Sequence, residues 1–262
     1  MARNKAAAAA HNQLLLFLLA IVSSCVISSS SAASEAETLI TFKNSLSDTS
    51  ALDNWNASTK PCTGSQSHWT GVQCNNGSVS GLQLEKMSLT GLIDIDTLTQ
   101  LPALKAISFM NNGFGGPLPD VKRLSLQGLY LSQNQVSGDI PDDAFSGMGD
   151  TLKKLYLAKN GFTGEIPSSL VDLPKLIELD LGDNQFTGEI PYFHPGDWTV
   201  MNLANNRLEG QIPASLSNLD AAELEGRHLL QDMSLTVSRK ISLYDQEIVD
   251  RPSNSNFRSS QA

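Results

Sequence analysis

The chain has 262 residues, 40% of them hydrophobic, 17% charged and 6% aromatic. That is enough apolar material for one extended domain with a real core. A formal charge of −9 argues against a nucleic-acid binder, because phosphates demand basic stripes.

The first residues have the layout of an export signal. Arg3 and Lys5 precede an apolar run, Leu14 to Ile27, which gives way to the small residues Ser31-Ala32-Ala33. This order predicts a signal peptide over residues 1–33, cleaved near Ala33. The run is short and Ser-rich for a membrane helix, which needs about 20 apolar residues, and no later stretch reaches that length. The mature chain is therefore expected to carry no membrane span. Cleavage removes Cys25 and leaves Cys62 and Cys74. An even pair in an exported chain reads as one disulfide. Export also makes Asn56-Ala57-Ser58 and Asn76-Gly77-Ser78 glycosylation acceptors at Asn56 and Asn76. His11, His68, His194 and His228 are scattered, with no Cys/His cluster, so neither a metal nor a cofactor is expected.

Residues 34–78 read as a cap. Ser34 and Glu37 form a capping-box signal ahead of Leu39, Ile40, Phe42 and Leu46 at helical spacing. Trp55 and Trp69 accompany the Cys62–Cys74 loop. A solenoid needs its first repeat covered, and this segment can do so.

Residues 79–226 read as six repeats on the pattern L-x-x-L-x-L-x-x-N-x-L-x-G-x-I-P. One copy is Leu152, Leu155, Leu157, Asn160, Phe162, Gly164, Ile166, Pro167; the next runs from Leu176 through Asn184 to Pro191. From Met87 through Asn112, Asn134, Asn160 and Asn184 to Asn206 the spacings are 25, 22, 26, 24 and 22 residues. These fit the leucine-rich-repeat range of about 20–29. Leu-x-Leu is a short strand with one buried face. The Asn after it turns the chain, and its amide can satisfy backbone groups inside the turn. No repeat can bury its Leu row alone, so neighbours must stack and the five Asn should form a structural ladder. The expected fold is an α/β solenoid, a leucine-rich-repeat horseshoe with a short parallel concave sheet and a helical N-terminal cap. From Arg227 the pattern is lost, and residues 227–262 read as a non-repeat, partly disordered tail.

Residues alternating with the buried Leu should face the concave side. They are Gln83, Ser108, Tyr130, Tyr156, Asp180 and Asn202, with Lys154 and Glu178 beside them. These eight are the candidate ligand-binding residues. Tyr130 and Tyr156 hold matching positions in successive repeats, and exposed Tyr on a rigid sheet is a good hot-spot candidate. The plainer alternative is two solvated Tyr supporting each other.

The Leu-x-Gly-x-Ile-Pro form of the repeat, and Trp69-Thr70-Gly71-Val72-Gln73-Cys74 in the cap, resemble the ectodomains of plant receptor-like kinases. The low repeat number and Ala214-Ser215-Leu216 with Leu224-Glu225-Gly226 are most similar to pollen receptor-like kinases, over about residues 35–226. The resemblance implies an extracellular module that binds a peptide or another receptor ectodomain. It implies a secreted location in the cell-wall space, where full-length relatives would sit in the plasma membrane. No Gly-rich phosphate loop, Val-Ala-Ile-Lys, His-Arg-Asp or Asp-Phe-Gly is present, and no G-x-S-x-G or H-E-x-x-H. The chain therefore reads as an ectodomain that stops before the membrane helix and kinase domain, and not as an enzyme. Two other readings stay open at this level: a secreted inhibitor similar to plant polygalacturonase inhibitors, and a truncated product without function.

Overall fold

A strand of three residues has one apolar face and too little of it to be stable alone, so each repeat must lean on the next. A computed structural model describes residues 33–194 and 198–216. The expected leader, apart from Ala33, the end of the last repeat and the tail at 227–262 lie outside the described residues.

The described chain opens with helix α1 (Glu35–Ser45), which buries Leu39 and Phe42. Strands β1 (Cys62–Thr63) and β2 (Gln66–Ser67) pair antiparallel, and β3 (Val72–Asn75) pairs antiparallel with β4 (Ser78–Gln83). Next come β5 (Thr90–Gly91), the single turn α2 (Ile95–Leu98), β6 (Ala106–Ser108), β7 (Gly113–Gly116), β8 (Gly128–Tyr130) and β9 (Gln135–Asp139). Then follow β10 (Lys154–Tyr156), β11 (Gly161–Thr163), β12 (Glu178–Asp180), β13 (Thr187–Glu189), β14 (Val200–Asn202) and β15 (Arg207–Glu209).

From β4 the chain alternates between two faces. The long sheet has the order β14-β12-β10-β8-β6-β4-β3, parallel throughout except at the cap pair β3–β4. Leu82, Ile107, Leu129, Leu155, Leu179 and Met201 fall on one register line, all buried. The Leu-x-Gly segments form a second, thinner set of strands, β11-β9-β7-β5 and β13-β15. Among the described residues α-helix is confined to α1 and α2; three later returns are 3-10 turns at Val121–Arg123, Ser168–Leu170 and Ala214–Leu216. In one of these returns Pro167 and Pro174 bracket the 3-10 turn, and Pro167 supplies its extended N-terminal flank at φ −63° and ψ 136°. The solenoid has the expected parallel sheet and helical N-terminal cap. None of the described helices is long and apolar enough to cross a membrane.

The Asn ladder sits between the two sheets. Asn160 Nδ2 donates to the carbonyls of Leu131 (2.9 Å) and Leu157 (3.0 Å), while its Oδ1 accepts from the Val136 amide (3.1 Å). Asn134, Asn184 and Asn206 repeat the pattern one turn apart. Asn112 does the same into the first repeat, accepting from the amides of Met87 and Leu89. Each amide therefore satisfies backbone groups of two repeats that no strand could reach. Aromatic rings fill the space behind: Phe42 stacks on Phe109, Phe109 meets Phe114, and Phe162 stacks on Phe186.

The cap closes the first repeat. Cys62 and Cys74 are disulfide-bonded with Cα atoms 5.7 Å apart. Trp55 and Trp69 stack at 5.6 Å, and their indole N–H groups donate to the Thr70 carbonyl and Thr59 Oγ1. The Glu35 carboxylate accepts from the Val79 amide, tying α1 to β4. Gly71, at φ +70°, passes so close to β4 that a Cβ there would stand 2.5 Å from the Gln83 carbonyl oxygen. Its own carbonyl takes the Gln83 amide at 2.6 Å.

Candidate binding face of the long sheet

The parallel register sorts the outward side chains of the long sheet into rows. One row runs Gln83, Ser108, Tyr130, Tyr156, Asp180, Asn202, each the direct partner of the next. The row before it on each strand includes Gly128, Lys154 and Glu178, also in register. All eight residues singled out from the sequence therefore lie on one face, but in different states.

Gln83 is exposed and accepts from Gln73 Nε2 at 3.1 Å. Ser108 is only 8% exposed, and its hydroxyl donates to the Glu85 carboxylate. Tyr130 and Tyr156 are half-buried and stacked, with ring centroids 5.1 Å apart and planes 24° from parallel. The Tyr130 ring lies back over Gly128, where a Cβ would come within 2.7 Å of it. The Tyr156 hydroxyl donates to Glu178 Oε2 at 2.7 Å, and Lys154 Nζ pairs with Glu178 Oε1 at 2.6 Å. Burial, and then the Glu178 carboxylate, push the Tyr156 phenol well above its ordinary range. The pair is thus a fixed aromatic plate, braced by glycine on one side and by a satisfied ion pair on the other.

Asp180 is 6% exposed. Its Oδ1 accepts from the Gly182 amide (3.2 Å) and from Asn202 Nδ2 (2.8 Å). Asn202 Oδ1 in turn takes the Ala204 amide at 3.0 Å. The Asn202 side chain lies over Gly182, where a Cβ would stand 2.5 Å from its nitrogen. Burial pushes the Asp180 carboxyl up to about 6, against the bonds from Gly182 and Asn202; the Asp183 charge adds to the rise and Lys159 opposes it.

Three features escape a reading of Leu-x-Leu alternation. Glu85 anchors Ser108 from beyond the strand end. Ser132, two residues past Tyr130 on the same face, has a buried hydroxyl without a partner. Lys86, Asn111, Gln133, Lys159, Asp183 and Asn205 all take left-handed φ between 53° and 60°, one per repeat. The signal for this last row was present, since each except Lys86 stands directly before a ladder Asn. Outside this face, Asn56 and Asn76 are both exposed; Asn56 Oδ1 holds the Ser58 amide at 2.9 Å.

Stacked Leu-x-Leu strands, a buried Asn ladder and a disulfide-closed helical cap define a leucine-rich-repeat ectodomain of the plant type. Family models agree: the leucine rich repeat N-terminal domain matches residues 32–75, and leucine rich repeats match 123–186 and 198–219. Pollen receptor-like kinase 2 of Arabidopsis thaliana is 52% identical over 198 residues, covering 74% of this chain and 29% of the relative. The crystal structure of a pollen receptor kinase 3 is 37% identical with a TM-score of 0.67, over 76% of this chain and 99% of that one. The Arabidopsis receptor kinase HAESA, solved in complex with the peptide hormone IDA and the co-receptor SERK1, is 33% identical with a TM-score of 0.62, over 74% of this chain and 33% of that one. This chain belongs to the pollen receptor-like kinase family and carries its leucine-rich-repeat ectodomain. It spans 28–29% of the length of the Arabidopsis pollen receptor-like kinases 1 and 2.

Proposed function

We propose that the chain is an extracellular recognition module whose long-sheet face binds a peptide or another receptor ectodomain, without catalysis of its own. The observation that carries this is the Tyr130–Tyr156 plate, held at 5.1 Å on a sheet of parallel strands. Rigid aromatic area costs little entropy to bury, which is what a hot spot needs. The complex of HAESA with a peptide hormone and a co-receptor, on a similar solenoid, supports the same use here. In this reading residues 1–33 direct export and are removed, 34–78 cap the solenoid, 79–226 supply six repeats, 227–262 add a tail, and Asn56 and Asn76 carry glycans.

The test is to purify the secreted chain and screen it against pollen and pistil peptides and receptor ectodomains. Replacing Tyr130 and Tyr156 together by Ala should weaken a confirmed partner by about 2 kcal/mol or more. Full affinity in the double variant would move the site off this face.

A further inference from the structure

The junctions between repeats of the long sheet are not alike. Across β8 and β10 the contact is neutral, Tyr130 stacked on Tyr156. Across β10 and β12 the Tyr156 hydroxyl and Lys154 Nζ share the Glu178 carboxylate, so that charge has its cation at 2.6 Å. Across β12 and β14, Asn202 Nδ2 donates to Asp180 Oδ1 at 2.8 Å. Asp180 is 6% exposed, and among the described residues no Lys, Arg or His stands within ion-pair distance of it. The bonds it accepts from Asn202 and from the Gly182 amide both fall on Oδ1. The Asn202 side chain fills the space over Gly182, so β14 is part of what covers the carboxyl. A second bond across this junction, Asn205 Nδ2 to Asp183 Oδ1 at 2.8 Å, is exposed.

A carboxylate in the Asp180 position has lost water and gained no counter-charge, and its hydrogen bonds offset only part of the cost. A protonated carboxyl loses less. With the proton on Oδ2, Oδ1 still accepts from Gly182 and Asn202. Separating β14 from β12 takes Asn202 away and returns Asp180 to water, where the charged form is favoured. Repeats of a solenoid contact mainly their neighbours, so one junction can open while the others stay closed.

We propose that Asp180 is a proton-operated latch between β12 and β14, holding the two strands together when its carboxyl is protonated and releasing them for local opening when it is charged. Burial dominates and pushes the carboxyl up to about 6, against the bonds from Gly182 and Asn202. The other groups around it leave that balance in place. The turn after β12 brings Asp183, which disfavours the charged form, and the turn after β10 brings Lys159, which favours it. Tyr156 on β10 is a phenol pushed well above its ordinary range by burial and by Glu178, and Glu178 on β12 is paired with Lys154. β14 (Val200–Asn202) brings no charge. The raised value sets the sign: the latch is closed in acid and weakens as pH rises through about 6. Asn202 continues the row that holds Tyr130, Tyr156 and Asp180, so the latch governs whether that face extends onto β14. This holds whatever the face binds.

Hydrogen exchange, read residue by residue by NMR on the purified full chain, tests the latch. The Leu181 and Asp183 amides donate to the Asn202 and Ala204 carbonyls at 2.8 and 2.9 Å, and so report the β12–β14 junction. The Leu131 and Gln133 amides donate to the Tyr156 and Ala158 carbonyls at 2.8 and 2.9 Å, and report the β8–β10 junction. After correction for the intrinsic rate, opening at Leu181 and Asp183 should rise about tenfold from pH 5 to pH 7.5, as expected for a carboxyl at about 6 closed and 3.8 open. Opening at Leu131 and Gln133 should not change. In Asp180→Asn, whose side-chain oxygen can still accept from Gly182 and Asn202, Leu181 and Asp183 should be as protected at pH 7.5 as at pH 5. Circular dichroism confirms that the variant is folded. An equal pH response in all four amides, no response in any, or an unchanged response in folded Asp180→Asn overturns the inference.

Discussion

Asn160→Ala should show how much of the stability resides in the ladder. The substitution strips the partner from three backbone groups: the Val136 amide and the carbonyls of Leu131 and Leu157. Each orphaned group costs about 1–3 kcal/mol, less whatever water or a small shift restores. About 3 kcal/mol is expected overall, which for a domain of this size lowers Tm by roughly 6–12 °C. Asn160→Asp separates the two halves of the amide. It keeps the acceptor for Val136 but cannot donate, and it buries a charge beside two carbonyls. At pH 7 it should be worse than Ala. Near pH 3 the protonated carboxyl can donate to one carbonyl, and the gap should narrow. Scanning calorimetry and urea titration at both pH values give these numbers, while affinity of the folded fraction should be retained. A loss under about 0.5 kcal/mol for Asn160→Ala, or an Asp variant indifferent to pH, would refute the ladder as a stabilising device.

Further outcomes follow from the cap and from Asp180. A carboxyl pushed up to about 6 from 3.8 binds more protons folded than unfolded. Its contribution to stability is present in acid and is lost as pH rises through about 6, up to roughly 3 kcal/mol. Asp180→Asn keeps an acceptor for Gly182 and Asn202, so it should raise Tm at pH 7.5 and change it little at pH 4; a pH-independent difference would count against the burial argument. Non-reducing digestion should find Cys62 and Cys74 in one bridged peptide, and reduction should cost roughly 3 kcal/mol on the loop-entropy model; two alkylated thiols before reduction would contradict the bridge. Gly71→Ala should destabilise the cap strongly, because its Cβ would meet the backbone of Gln83; a Tm within about 1 °C of the parent would show that the cap can yield there.

Much of this architecture was legible in the residues because the physics of a repeat is local. Leu155 and Leu157 must be buried by the same alternation that turns Tyr156 outward, and the next repeat says the same. The Trp69-to-Cys74 motif and the Asn after each strand likewise announce their roles at short range. The polar states on the binding face were less legible. Ser108 and Asp180 occupy the same alternating positions as Gln83 and Asn202, yet they are almost covered.

The sequence by itself determined the repeat frame, the buried row, the Asn ladder and the side on which Tyr130 and Tyr156 stand, since each follows from a period of two along a strand and a period of about 24 along the chain. Only the tertiary structure decided that Tyr156 is tied to Glu178, that Asp180 is covered by an Asn202 lying 22 residues onward, and that Gly128 and Gly182 make room for the side chains above them. Those states depend on which strand lies next and how closely it approaches. Burial and hydrogen bonding between repeats set them, and no single repeat contains that information.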